Sequence, residues 1–335
     1  MWDAKRKKIA AAAAALCVAA FACAWYVYAV DRPAGNRAVA MSVPKNATGA
    51  EIADMLAEKG VIKSAGVFRA AMKVTGAAAS LQHGYYRLHE GMTAREAIEA
   101  LQHGRAESKT VTIPEGMTVA QISDILKTAG LAGAADFTQT AKTYVCYDYM
   151  KADPPAPIAG EGFLWADTYE IPVDFSAKDI CDMMYERTDE MLTADIRKKA
   201  EAKNMSLHTL MTMASLVERE ARLREDQVPI ASVILTRLSR GMPLQIDATV
   251  QYALGKVKPE LTYADLETES PYNTYLHQGL PPGPIGAPGR DAVLAVLAAE
   301  PGEALYYVAQ KDGHHVFTKT LEEHEAKIKE IYGNP

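Results

Sequence analysis

The sequence predicts an α+β protein built as an N-terminal transmembrane helix, a small α+β module and a larger mixed α+β domain. Three observations predict it. An uncharged run from Ile9 to Val30 follows Lys5, Arg6, Lys7 and Lys8 and ends at Asp31 and Arg32. A strand–turn–helix pattern occurs twice, as VPKNATGAEIADMLAEKGVI from Val43 and IPEGMTVAQISDILKTAGLA from Ile113. Beyond the second copy, helical periods alternate with Pro- and Gly-rich loops and short apolar alternations that read as strands. These features divide the chain into a tail at 1–8, a span at 9–30, a linker at 31–40, a module at 41–106 and a domain at 107–335.

The apolar run is roughly 33 Å long as a helix, enough for a bilayer core. Basic residues before it hold the N-terminus in the cytoplasm and send the remainder outside. Trp25, Tyr26 and Tyr28 gather at its far end, where an interfacial aromatic belt would lie. A cleaved signal peptide is the alternative. The stretch before Cys23 lacks the aliphatic residue of a lipobox, which speaks against a lipoprotein.

Composition excludes several classes. The 335 residues are 49% hydrophobic and 23% charged, as in globular proteins, and suffice for two or three cores. A net charge of −6 without a long basic patch gives no nucleic-acid signal. Four cysteines are too few for a disulfide scaffold. Outside the apolar run, Cys146 and Cys181 form one disulfide in an exported domain or remain two buried thiols. No P-loop, dinucleotide fingerprint or HExxH occurs, and Ser215 lacks a G-x-S-x-G elbow. No cofactor and no metal is expected. His314, His315 and His324 lack partners at metal-ligand spacing and read as exposed hairpin residues.

In the module, a second helix (Val67–Val74), a strand (Gly84–Leu88) and a further helix before Gly104 follow the first copy of the repeat. This strand–helix–helix–strand order resembles LysM-type folds that bind glycan. A scaffolding role is the alternative. In the larger domain, EGFLWADTYEIPVD (Glu161–Asp174) reads as strand and turn, and 176–203 as a long helix or helix pair. SLHTLMTMASLVERE is a helix with Ser206 as N-cap. At about 100° per residue, Glu218 falls among the inward directions of Leu207 and Met211, whereas Glu220 points about 160° away, toward the polar side. An inward carboxyl is costly to ionise, so its pKa rises, which suits a general acid. Pairing with a basic side chain is the competing reading of Glu218.

ARLREDQVP breaks the pattern, and a helix resumes over Val228–Leu238 with Pro229 in its first turn. In an extended GMPLQID segment, Gln245 and Asp247 share a face, and Asp247 also suits the cap of a helix at Ala248–Leu254. SPYNTYLHQGLPPGPIGAP is a shaped loop whose Tyr272, Asn273 and Tyr275 offer rings and an amide to a sugar, or pin the loop to the core. Residues 291–299 form a short helix. A hairpin follows, and Thr320 with Glu323 forms a capping box before the last helix.

ASLVERE, SVILTRLSRGMPLQIDATVQYALG, SPYNTYLHQGLPPGPIGAPG, EGFLWADTYEI and a final T-x-x-E-H together resemble the endolytic murein transglycosylases, the membrane-anchored YceG-like proteins. Where that family usually has Phe-Pro, this chain has Trp165-Ala166. The resemblance implies a lyase on peptidoglycan glycan strands that cuts between N-acetylmuramic acid and N-acetylglucosamine without water, leaving 1,6-anhydromuramyl ends. It implies Glu218 as the catalytic acid, in the L-V-E-x-E context. Gln245, Asp247, Tyr272, Asn273 and Tyr275 are the candidates for positioning substrate. It also implies a catalytic domain outside the cytoplasmic membrane, close to peptidoglycan synthases, that terminates or releases nascent strands. A membrane-tethered glycan-binding scaffold and a hydrolase with Asp247 as base are the alternatives.

Overall fold

The computed structural model describes residues 37–44, 47–103 and 108–333. The expected transmembrane helix 9–30 lies outside them. Among the described residues, no helix is long and apolar enough to cross a membrane. The chain forms two compact units, one reaching Lys109 and including Glu170–Val173, the other holding Thr110–Tyr169 and the chain from Asp174 onward.

In the first unit, β1 (Ala38–Val43) is followed by α1 (Gly49–Glu58), α2 (Ala65–Thr75), β2 (Gly84–His89) and α3 (Ala94–His103). The two strands pair antiparallel, with Met41 opposite Tyr86 and Val43 opposite Gly84. Alternation sends Met41, Val43, Tyr86 and Leu88 to one face, where they join Ile52, Leu56, Phe68 and Leu101 in the core. The buried Tyr86 ring keeps its hydroxyl satisfied by donating to the carbonyls of Gln82 (2.7 Å) and Leu101 (3.2 Å).

The internal repeat has a physical basis. Thr48 and Glu51 form a capping box at the start of α1, and Thr118 and Gln121 form one at the start of α4 (Val119–Thr128). Both helices end at a glycine with φ near 70°, Gly60 and Gly130, a conformation that Cβ-bearing residues resist.

In the second unit, α5 (Phe137–Thr143) follows α4. Then come a helix pair α6 (Ala177–Met191) and α7 (Ala194–Ala202), α8 (Leu207–Glu220), α9 (Arg224–Ser239), α10 (Asp247–Leu254), α11 (Tyr263–Leu266) and α12 (Arg290–Ala298). The chain closes with β5 (Tyr306–Ala309), β6 (His315–Thr318) and α13 (Leu321–Tyr332). Strands β3 (Ser108–Thr112) and β4 (Thr168–Pro172) form a separate two-stranded ribbon. Helix α8 is the centre of the unit: every residue from Leu210 to Val217 is buried, and α9, α10 and α12 pack around it. Ser206 caps it by accepting from the Thr209 amide at 3.0 Å.

Two local expectations change. Helix α9 begins at Arg224, with Glu225 and Asp226 in its first turn, so Pro229 lies in the second turn and only residues 221–223 interrupt the helical chain. Acidic residues suit a helix N-terminus, and that favours the earlier start. Asp247 does not cap α10, whose N-cap is Ile246. Cys146 is exposed, Cys181 is buried, and both are free thiols.

Candidate functional site

The last turn of α8 sends three consecutive side chains to three different surroundings. Glu218 accepts a hydrogen bond from the Gly289 amide at 3.0 Å, at the N-terminus of α12. Burial raises its carboxyl, the Gly289 amide opposes that, and the charges of Glu115 and Asp291 add to the rise. Arg219 donates to the Gly116 carbonyl at 3.3 Å. Glu220 accepts from the Tyr307 hydroxyl at 2.9 Å.

Glu220 is therefore not turned toward solvent. Helix α8 is buried over Leu210–Val217 and half-buried in its last turn, where the direction that a helical wheel labels polar leads to the Tyr307 hydroxyl. Burial pushes the Glu220 carboxyl up to about 7. Hydrogen bonds from Tyr307 and the Ala248 amide, with the charge of Arg219, pull the other way, and the Asp247 charge adds to the rise.

Glu220 lines a cavity of about 530 Å³ with Gln245, Asp247, Tyr275, Tyr307 and Arg237. The Tyr275 hydroxyl donates to Asp247 at 2.5 Å, which fixes the carboxylate that the helix cap does not use. Gln245 is not extended: its φ is +53°, strained for a residue with a Cβ. Its amide donates to the Thr274 carbonyl at 3.1 Å, and Arg237 reaches its side-chain oxygen at 3.4 Å. Arg237 is a buried strut. Its guanidinium bonds the carbonyls of Leu305 and Leu244, each at 2.7 Å, and lies 5.0 Å from the Tyr306 ring centre.

His314 keeps an exposed side chain, as expected, whereas His315 and His324 are placed differently. His315 is buried, its ring Nδ1 3.0 Å from Asp226 and its edge toward Tyr307. His324 stacks on Tyr306, and both histidines line the cavity. Among the described residues, no three His, Cys, Asp or Glu side chains gather in a way that could hold a metal.

The remaining predicted residues lie elsewhere. Asn273 is fully buried and committed, donating to the Leu266 and Thr268 carbonyls at 2.8 and 2.9 Å and accepting from the Tyr275 amide at 3.0 Å. It shapes the loop that carries Tyr275 to the cavity wall. Tyr272 faces a second cavity, of about 580 Å³, with Glu161 and Arg219. Ser215 accepts from the Ile285 amide at 3.0 Å and ties the same loop to α8.

This arrangement is one enclosed acid, one fixed carboxylate and a set of hydroxyl and amide groups around a single void. The sequence pattern of the YceG-like family matches residues 41–330. The chain belongs to the YceG-like family. A protein of Bacillus subtilis named endolytic murein transglycosylase is 35% identical over 315 residues, covering 88% of this chain and 84% of that protein. A Streptococcus pneumoniae protein of the same name is 29% identical over 321 residues, covering 87% of this chain but 58% of its own length. The 2.6 Å crystal structure of a YceG-like protein from Listeria monocytogenes is 34% identical. It superposes with a TM-score of 0.60, covering 87% of this chain and 99% of that one.

Within this YceG-like chain, sequence reasoning grouped Gln245, Asp247 and Tyr275, and the structure brings these three to one cavity, with Glu220 also in its lining. That reasoning missed Tyr307, Arg237 and Glu161. The paired tyrosines of LYYVAQ and the lone acid opening EGFLWADTYEI were the available signals.

Proposed function

We propose that this chain is a membrane-anchored lytic transglycosylase that cuts peptidoglycan glycan strands internally, with Glu220 as its acid–base group. The names of the two relatives support the reaction class. One observation carries the choice of acid: Glu220, held at about 7, shares its cavity with Gln245, Asp247 and Tyr275. Glu218 lies on the Gly289 amide instead, and we assign it to anchoring α12.

The chemistry needs a single proton carrier. Protonated Glu220 gives its proton to the oxygen joining C1 of N-acetylmuramic acid to N-acetylglucosamine, and the C1–O bond breaks. The acetamido group of the muramyl residue and the Asp247 carboxylate stabilise the positive charge at C1. The Tyr307 and Ala248 donors stabilise the ionised Glu220 between the two halves of the reaction. Glu220 then takes the proton of the C6 hydroxyl as that oxygen attacks C1, and the 1,6-anhydro ring closes. No water is consumed.

Asp247 in the same cavity also favours a second reading, a muramidase in which Asp247 activates water. Mass spectrometry of a peptidoglycan digest separates the two, because an anhydro end is one water lighter than a reducing end. Reducing ends alone would replace the lyase with the hydrolase, and no product would leave a glycan-binding scaffold. In this reading residues 9–30 anchor the protein with its second unit outside the cytoplasmic membrane. The first unit binds glycan in the manner of LysM folds, and cleavage near synthases releases nascent strands.

A further inference from the structure

The wall of the Glu220 cavity contains a histidine that the reaction described above does not use. His315 opens β6 and lines the void. Asp226, in the first turn of α9, holds it twice. One Asp226 oxygen accepts from the His315 amide at 2.8 Å and lies 3.0 Å from the ring Nδ1. The two side chains are 5% and 9% exposed, so the pair is shielded from bulk solvent. An ionised carboxylate can only accept, so the proton of the neutral ring sits on Nδ1 and Nε2 keeps its lone pair. Fixing one ring nitrogen in this way sets what the other presents.

Anchoring the hairpin accounts for Nδ1 but not for Nε2. Among the described residues nothing bonds to Nε2, and it is not sealed off as Nδ1 of His324 is in the same wall. The His315 ring stands edge-on to Tyr307, with ring centres 5.6 Å apart and planes at 79°, and Tyr307 is the donor to Glu220. Neighbouring polar groups of the wall are already engaged. The hydroxyls of Tyr275 and Tyr307 give their protons to Asp247 and Glu220, and Arg237 is bound to the Leu244 and Leu305 carbonyls. The His315 nitrogen is therefore an acceptor that the fold itself does not use, one ring away from the acid.

We infer that His315 is a substrate-facing residue of the Glu220 cavity, whose Nε2 accepts a hydrogen bond from a glycan hydroxyl and orients the sugar, with Asp226 as the positioning residue that sets its tautomer. The inference rests on the reading of this cavity as the reaction site.

Asparagine and glutamine separate the two ring nitrogens. In His315→Asn the amide occupies the place of Nδ1 and still donates to Asp226, but nothing stands at Nε2. In His315→Gln the amide reaches toward the place of Nε2 and the bond to Asp226 is lost. The full-length protein and both variants are assayed on soluble, uncrosslinked glycan strands, with thermal melts alongside and rates taken well below each midpoint. His315→Asn should keep an unfolding midpoint near that of the wild type yet lose roughly tenfold in kcat/KM, as for one lost hydrogen bond. His315→Gln should melt earlier and still be the faster of the two variants. A histidine that only anchors the hairpin gives the reverse order. His315→Asn at wild-type kcat/KM, or His315→Gln as the slower variant, overturns the inference. If the wild type yields no product, calorimetric titration with the same strands decides: severalfold weaker binding by His315→Asn supports the inference, and equal binding overturns it. The two readings fail separately. Reducing ends from the wild type remove the lyase but leave the comparison of variants intact, and anhydro ends formed equally fast by His315→Asn remove only the role of His315.

Discussion

Replacing Glu220 with Gln should abolish cleavage and change how stability depends on pH. The carboxyl sits at about 7 against an ordinary 4.5. That displacement corresponds to roughly 3 kcal/mol of extra cost for the ionised form. The sign follows from the direction. A raised carboxyl binds its proton more tightly in the folded state, so this stabilisation is complete below about 4.5 and is lost as pH rises through about 7. Gln has no proton to lose. Glu220→Gln should therefore gain on the wild type between pH 4.5 and pH 8, by up to roughly 3 kcal/mol, in denaturant melts at matched ionic strength. In the wild type, kcat/KM should fall about tenfold per pH unit above 7, as the acid form disappears. Both halves of the reaction pass through this carboxyl, so the variant should lose more than the roughly 10²–10⁴-fold of one acid–base step. Glu218→Gln, measured on the same purified peptidoglycan, should keep most of the activity and lose little stability near neutral pH, because burial outweighs the Gly289 bond and raises this carboxyl as well. Anhydro-ended product from Glu220→Gln at near wild-type rate would refute this reasoning. A dead Glu218→Gln beside an active Glu220→Gln would return the acid to Glu218.

Other outcomes follow from the same contacts. Tyr307→Phe removes a bond that lowers the Glu220 pKa and should move the alkaline limb of kcat/KM upward, whereas Asp247→Asn removes a charge that raises it and should move the limb downward; shifts of the same sign in both would contradict the electrostatic picture. Asn273→Ala removes a buried three-bond junction and should cost roughly 3 kcal/mol, read as a lowered unfolding midpoint; an unchanged midpoint would mean the loop holds without it. N-terminal sequencing of the mature protein should find residues 9–30 retained, and a start after residue 22 would show a cleaved leader. Deleting residues 41–106 while keeping the anchor should weaken glycan binding more than the chemical step, and undiminished binding would reduce the module to a spacer.

Much of the fold was legible because it is written locally. Capping residues, glycine stops and the two-residue alternation of Met41 and Val43 act within a few positions. The start of α9 was less legible because Pro229 resembles a first-turn residue and drew the boundary toward itself. The site was legible in composition and less so in geometry. GMPLQID and SPYNTY contain four of the cavity residues, Leu244, Gln245, Asp247 and Tyr275. The surroundings of Glu220 were not available from a helical wheel, since a wheel assumes that one side meets water. Here the polar side is covered by the hairpin of β5 and β6, almost ninety residues later in the chain, as the Tyr307 bond to Glu220 shows. Asn273 misled for the opposite reason: its amide suits a sugar, but it is used up by the loop's own carbonyls.

The β5–β6 hairpin bears on the order of events during biosynthesis. A lone two-stranded hairpin is barely stable in water. This one is held by the Arg237 bond to Leu305, the Asp226 bonds to His315 and the Tyr332 hydroxyl on Ala309. Until it docks, Glu220 lacks both the Tyr307 donor and the cover that raises its proton affinity, and its carboxyl behaves like any exposed glutamate. On the proposed role of Glu220, a chain that has folded α8 but not yet docked the hairpin lacks a working acid, and activity waits on a segment distant in sequence.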